Sequence, residues 1–511
     1  MNLPILSVTL FMPLMGALIV LLVDQRQSRM VRWIGVVFAV ATLALAGMIW
    51  AATAAAGASE MRLVEHMPWI PQLDLWYTLG VDGLSAPMIF LSGLLTTVAL
   101  FYSAFTVKER VKEYTFLFLL LETAMLGVFM ALDMILFYVF WVVGLVPIFL
   151  LIGVWGGKRR ERAAIKFFVY TLAGSVVGLL GLLAVYHSTG TFNVLDAAAA
   201  RPFSASPTWA TVVFWALFVA FAIRIPVFPF HTWLPDALTE APTAGSVVLA
   251  GALLNLGGYG IMRIVLPFFP ERFYTYAVEV PIITIMALMS IVYGALVCMA
   301  QWDLKRLLAY SSVAHMGYVT LGLAAASAAW LQGGDSSALN AAASGLNGAA
   351  LQQFSHGIVM SAMFLLVGMI SERARTRDLK AFGGLASVMP ATYGLTLVTA
   401  FALLGLPGLI GFWSELFVFR GAVRLLPAAA VIGVIGMVFT AGYTLWKLVH
   451  CLFLGSLDRD RWAGLGDLLW WEKVSVWPLV ILMIVLGIYP APLVNTFNAA
   501  VNVMVQAFVL R

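Results

Sequence analysis

Residues 221–237 read FAIRIPVFPFHTWLPDA and residues 240–260 read EAPTAGSVVLAGALLNLGGYG. Together they set prolines, an arginine, a histidine and two acids among apolar runs long enough to cross a bilayer. An ionisable group at that depth costs about 2.5–3.5 kcal/mol on insertion scales and is tolerated where it faces a bundle interior or a water-filled path. The stretch therefore points to traffic of protons or ions through a helical bundle.

The rest of the chain agrees. Its 511 residues are 62% hydrophobic and 10% charged, with a mean hydropathy of +0.99, whereas a soluble domain is roughly 25% charged. The expected fold class is an all-α polytopic membrane protein, because each crossing takes about 20 apolar residues as a helix. Fourteen such runs lie near 4–23, 33–53, 84–106, 114–132, 134–155, 164–187, 209–234, 243–265, 276–299, 304–325, 351–371, 390–424, 429–453 and 474–494. The first lacks a basic leader and a small-residue cleavage site, so it reads as a retained span. The net charge of +5 gives no sign of a nucleic-acid partner, since most cations sit in short loops. Of the 29 lysines and arginines, nineteen lie in one set of alternate loops and five in the other. The cation-rich side is expected to face the cytoplasm, with both termini on the opposite side.

Two spans are long and broken. Span 7 contains Pro226 and Pro229, and span 12 contains GLPGLIG at 405–411. Each proline removes a backbone donor, and in hydrocarbon the freed carbonyls need protein or water partners. The breaks are five spans apart, so their helices run in opposite directions. That pattern predicts two inverted five-helix repeats with a path at the bilayer midplane. The chain then divides into spans 1–3 (1–113), a first repeat of spans 4–8 (114–265), a second of spans 9–13 (276–453), and a loop with span 14 (454–511). The small, polar stretch 324–350 reads as a mobile surface loop.

Few polar side chains fall at mid-depth. Glu122 sits in the middle of span 4 with no charged neighbour in sequence, as a proton carrier or as half of a salt bridge to another helix. Asp133 reads as an interfacial cap. Arg224 precedes the first break; a guanidinium stays charged, so it can hold a carboxylate or exclude cations but not pass a proton on. His231, Asp236 and Glu240 cluster at the basic end of span 7, where a histidine can shuttle protons and helix-end groups also simply cap. Lys166 is expected to snorkel, and Lys305 opens span 10 as an orientation charge. His315 lies mid-span in YSSVAHMGYV among hydroxyls, which suits a water-linked relay. His356 is placed toward the outer end of span 11. Glu415 follows the second break as an exit-side carboxylate. No His/Asp/Glu spacing here resembles a closed metal site. Cys298 and Cys451 cannot supply the four thiolates of an iron–sulfur cluster, and no dinucleotide or phosphate-loop fingerprint occurs. Any redox cofactor is therefore expected in a partner.

Several motifs carry a resemblance: ALDMILFYVFW (131–141), LVPIFLLIGVWGG (145–157), AIKFFVYTLAGS (164–175), PVFPFHTWLPDALTEAPTAGSVVLAGALL (226–254), DLKRLLAYSSVAHMGYV (303–319), SHGIVMSAMFLLVG (355–368) and LLGLPGLIGFWSE (403–415). Over about residues 100–490 the chain resembles the antiporter-like subunits of bacterial NADH–quinone oxidoreductase, respiratory complex I, on the subunit M branch. The resemblance implies fourteen helices in two inverted repeats, and proton translocation driven by redox chemistry elsewhere. It implies FMN, iron–sulfur clusters and quinone in partner subunits, with none in this chain. It also implies sister antiporter-like subunits as partners and a multi-pass place in the bacterial inner membrane.

In that family a glutamate in the fifth span pairs with a lysine in the broken seventh. A lysine in the eighth then leads through histidines to a charged group in the twelfth. Here the glutamate position holds Val142, the seventh-span lysine matches Arg224, and the eighth-span lysine matches Asn255. His315, His356 and Glu415 match the distal elements. Two readings follow. In one the relay is rewired, with Glu122 holding Arg224 and water bridging past Asn255. In the other the chain is a non-pumping scaffold of a complex-I-like assembly. A subunit of a cation/proton antiporter or a membrane-bound hydrogenase is the further alternative.

Overall fold

The computed structural model describes residues 4–55, 57, 59–331 and 335–509. Among these, thirteen helices are long and apolar enough to cross a membrane. The fourteenth crossing is span 12, built from two shorter pieces, Pro390–Leu403 and Ile410–Leu425. The span count and the second break thus follow the hydropathy. Span 7 breaks too: Pro207–Arg224 stops, and the helix resumes at Leu234–Glu240. The break survives in an apolar interior because its carbonyls find donors. Trp233 Nε1 donates to Ile223 O at 2.9 Å, and Val227 N to Ala222 O at 3.1 Å. The most buried spans are 8 (Thr243–Phe268) and 11 (Ser336–Ala374), each buried throughout its most apolar stretch, with span 10 (Leu304–Ser327) nearly so; spans 1, 2, 6 and 13 are the least buried.

Three departures from the sequence reading have physical causes. Residues 336–350 are not a surface loop but the first part of span 11, a helix of 39 residues that is buried from Ala341 to Ile370. Ala, Ser and Gly score low on hydropathy, yet alanine favours helix and small residues let helix backbones approach closely. A Cβ on Gly345 would sit 2.8 Å from Gly322 O, and one on Gly322 would sit 2.6 Å from Gly345 O. Residues 332–334 of that stretch lie outside the described residues. The loop 54–83 contains a two-stranded antiparallel hairpin, β1 (Arg62–Ile70) and β2 (Leu75–Val81), so the chain is not helical throughout. Beyond span 14 (Trp470–Ile488), residues 491–509 form a further helix, Ala491–Val509. It is pinned by Trp50 Nε1 to Thr496 Oγ1 at 3.3 Å and Asn347 Nδ2 to Asn498 Oδ1 at 2.9 Å.

One capping device occurs twice, five spans apart. Asp133 caps span 5 (Met134–Trp155), accepting from Ile135 N and Leu136 N at 2.9 and 3.0 Å. Its backbone forms a strand-like bridge with Asn193, which caps the short helix Val194–Ala200. Asp303 caps span 10 through Arg306 N at 3.0 Å, and bridges in the same way to Asp378, which caps the turn Leu379–Ala381. Such side-chain acceptors satisfy amides that a helix start leaves open.

Two further contacts fix span ends. Asp82 Oδ2 accepts from Arg263 Nη2 at 2.6 Å, with both side chains under 8% exposed. Asp82 Oδ1 accepts from Leu84 N and Ser85 N at the start of span 3 (Ser85–Thr106), while Arg263 also reaches Tyr259 Oη at 3.3 Å. Asp82→Ala leaves a buried guanidinium unpaired, so it is expected to cost about 3–5 kcal/mol. Asp82→Asn keeps acceptors and is expected to cost less; thermal unfolding in detergent orders the two. Asp467, in the loop before span 14, accepts from Thr392 Oγ1 and from the amides of Ala391, Thr392 and Leu468. Burial pushes its carboxyl up, but these hydrogen bonds outweigh that and hold it below the usual carboxylate range. Its contribution is thus present above the unfolded value of about 3.9 and is lost as pH falls through the lower folded value. Asp467→Asn should lower the melting temperature at pH 7, and the gap to wild type should shrink in strong acid.

Candidate functional site

Span 8 runs through the middle of the bundle and is fully buried. Two π-helical turns, Leu249–Leu253 and Ile261–Val265, flank Asn255; such turns rearrange the backbone ladder and are frequent at functional sites. Asn255 Nδ2 donates to Gly251 O at 2.8 Å, while its Oδ1 is buried without a protein partner. Its amide lies against span 11, since a Cβ on Gly357 would sit 3.4 Å from Asn255 Nδ2. Next to Gly357, both ring nitrogens of His356 are buried and unpartnered. The His356 ring stacks 6.0 Å from that of His315 on span 10.

His315 joins this pair to span 12. Its Nδ1 is 3.2 Å from Gln352 Nε2 and 3.9 Å from Glu415 Oε1. Ser414 Oγ donates to Gln352 Oε1 at 2.5 Å, and Ser355 Oγ donates to Ser414 Oγ at 3.1 Å. Glu415 occupies the gap left by the break in span 12. Gly405 lines that gap in a left-handed conformation, φ +69°, and a Cβ there would collide with the Glu415 carboxylate; only glycine takes that conformation readily. Asn255, His315, Gln352, His356 and Glu415 are all 5% exposed or less. Buried imidazole and carboxyl groups this close can exchange protons directly or through single waters.

The proximal half is arranged differently. Glu122, on span 4 (Val111–Met130), is fully buried, and neither carboxylate oxygen has a partner. It does not hold Arg224. The Arg224 guanidinium instead lies over the Trp141 ring, 4.7 Å from its centroid, with Nη2 3.4 Å from Trp141 O. Trp141 is itself fixed by Nε1 donating to Ser175 Oγ at 3.0 Å. An aromatic face attracts a desolvated cation by roughly 2 kcal/mol or more, so the ring takes the place expected for an acid. Val142, half-buried beside Trp141, supplies nothing that titrates. The Arg224 backbone meets span 8 near Asn255: a Cβ on Gly257 would sit 3.1 Å from Arg224 C.

On the cation-rich face a cavity of about 1080 Å³ opens, bordered by Lys108, Glu240, Lys305, Glu372, Arg375 and Arg377 among others. Here the sequence cluster separates. Asp236 pairs with Lys166 at 2.6 Å, and Lys166 also donates to Thr232 O, so Lys166 does not snorkel freely. Glu240 accepts from Arg159 N at 2.9 Å and lies 3.7 Å from Arg377. His231 sits apart, among the rings of Phe228, Tyr293 and Tyr310. Lys305 is buried, donating to Ala241 O at 2.9 Å, and Arg377 donates to Thr239 O. Both cations therefore rest on carbonyls at the C-terminal end of Leu234–Glu240, where a helix dipole favours positive charge. Glu372 accepts from Thr243 Oγ1 at 2.7 Å and Tyr102 Oη at 2.9 Å.

Sequence reasoning missed Gln352, Ser414 and Glu372. Gln352 stands four residues before His356 on one helical face, a signal hidden by starting span 11 at 351 instead of 336. For the same reason His356 belongs at the middle of the longer helix, not toward its outer end.

A family model described as NADH:quinone oxidoreductase/Mrp antiporter, TM, matches residues 131–440. NADH-quinone oxidoreductase subunit M of Rhodobacter capsulatus is 39% identical, covering 99% of this chain and 97% of that protein. The subunit of the same name from Rickettsia conorii is 36% identical, with 99% and 100% covered. A chain of respiratory complex I from Thermus thermophilus with bound NADH has the same fold, with a TM-score of 0.85 at 26% identity over 98% of this chain and 99% of that one. The fourteen-span bundle with its two broken spans is thus a member of the NADH–quinone oxidoreductase subunit M family of antiporter-like membrane proteins.

Proposed function

We propose that this chain is an antiporter-like membrane-arm subunit of a proton-translocating NADH–quinone oxidoreductase, and that protons pass along the buried line Asn255, His356, His315, Glu415. The observation that carries the reading is the joining of His315, Gln352, Ser414 and Glu415 across three spans at the second helix break. A purely structural contact between helices has no need of two histidines and a carboxylate with free buried valences, because each such group costs about 1–3 kcal/mol. The cavity on the cation-rich face, with Glu372 and Lys305 at its edge, is the entry side. Lys166, Asp236, Glu240 and His231 are accessory groups on that side.

On this reading the cation-rich face is cytoplasmic, both termini lie on the other side of a bacterial inner membrane, and sister antiporter-like subunits flank the chain. FMN, iron–sulfur clusters and quinone belong to partner subunits that supply the driving redox step. The repeated Asp133 and Asp303 caps, together with breaks five spans apart, support two inverted repeats, spans 4–8 and 9–13.

The proximal half works as a fixed charge. Arg224 on Trp141 repels other cations and does not titrate, while Glu122 is a separate proton store. A scaffold reading draws on the same observation, since Val142, Arg224 and Asn255 cannot relay protons among themselves. One experiment separates the two. The assembled complex, confirmed by copurification, is placed in proteoliposomes and proton uptake per NADH oxidised is measured. Glu415→Gln is expected to remove the share of uptake that this subunit carries, leaving the share of the sister antiporter-like subunits. Glu122→Gln is expected to lower uptake by a smaller amount. Normal uptake in both variants would leave only the scaffold.

A further inference from the structure

Gln352 reaches from span 11 between His315 and Ser414, and its amide has a fixed donor end and a fixed acceptor end. In the orientation present, the NH₂ group faces His315 Nδ1 at 3.2 Å and Oε1 accepts from Ser414 Oγ at 2.5 Å. That arrangement requires a lone pair on Nδ1, hence the neutral imidazole with its proton on Nε2. It is the state of His315 after its Nδ1 proton has gone to Glu415 Oε1, 3.9 Å away. With a proton on Nδ1, the same orientation would set two donors head to head in a buried site, where an unmade hydrogen bond is costly.

Turning the amide over removes the conflict. Oε1 then accepts from Nδ1–H, and the NH₂ group donates to Ser414 Oγ. Ser414 is equipped for both orientations. Its single hydroxyl proton has a second acceptor in place, Gly411 O at 2.8 Å, and Ser355 can keep donating to its other lone pair at 3.1 Å. We propose that Gln352 is a positioning residue whose amide turns over each time His315 passes a proton to Glu415. The steps balance. With the amide turned over, His315 starts as the neutral Nδ1–H tautomer and gains a proton at Nε2 from the His356 side to become imidazolium. The Nδ1–H bond then breaks as an O–H bond forms on the Glu415 carboxylate, leaving a neutral acid and the neutral Nε2–H imidazole that the present amide orientation fits. Before the next transfer a water takes the Nε2 proton and returns one to Nδ1, with no net gain or loss, and the amide turns back with it. The inference rests on the proton-carrying reading above and adds an element to it.

The test compares three variants in the assembled complex, again as proton uptake per NADH oxidised. Gln352→Met keeps the volume but neither hydrogen bond, and should lose as much uptake as Glu415→Gln. Gln352→Glu, as a neutral acid with one O–H and one C=O, can serve both orientations and should keep most of the uptake. Gln352→Asn keeps the amide but is one methylene too short to span His315 and Ser414, and should fall with Met. Wild-type uptake in the Met variant overturns the proposal, as does equal loss in the Glu and Met variants. If Met does not assemble, the Glu and Asn variants decide: full uptake in Asn overturns it, whereas loss in Asn with retention in Glu supports it. Glu415→Gln is measured alongside. Normal uptake there removes the whole path, whereas loss there with normal uptake in Gln352→Met removes only the role of the amide.

Discussion

Hydrocarbon offers no hydrogen bonds, so the backbone groups freed where a span breaks need partners in the protein or in water. The two broken spans are where that constraint bites. In span 7 the freed carbonyls are taken by the Trp233 indole and by neighbouring amides. In span 12 the gap beside Gly405 receives the Glu415 carboxylate. The breaks and the ionisable groups are therefore one feature. An unbroken span 12 would leave no space for the Glu415 carboxylate beside Gly405.

The two broken spans meet this constraint in different ways. At the first, the Arg224 guanidinium rests on an aromatic face and a carbonyl, with no acid paired to it. Around span 12, hydroxyls, an amide, two imidazoles and a carboxyl lie close together. Between them stands Asn255, whose amide can order a water but not store a proton. On the cation-rich face Lys305 and Arg377, from the second half, grip the carbonyls of the short helix that completes span 7 in the first.

Much of the architecture was legible because hydropathy and proline act locally. The fourteen crossings, both breaks and the Asp133 cap follow from residues within one turn of the feature itself. The errors arose where a helix is stabilised by its neighbours. Residues 336–350 are too poor in large apolar side chains to read as a span, and they are helical and buried because glycines let spans 10, 11 and 12 touch backbone to backbone. Misplacing that start also moved His356 off centre and hid Gln352. The expected Glu122–Arg224 pair failed for a similar reason: depth along two helices says nothing about which way each side chain faces.

By itself the sequence determined that the chain crosses a bilayer, where it bends and which few side chains can carry charge at mid-depth. Those outcomes depend on transfer free energy and backbone chemistry, which each residue carries wherever it sits. Only the tertiary structure decided which of those side chains meet. It set Arg224 on Trp141 instead of Glu122, split His231, Asp236 and Glu240 among separate partners, and brought His315, Gln352, Ser414 and Glu415 together from three helices. Hydrogen bonds act over about 3 Å, and contacts at that range between distant segments exist only once the helices have packed.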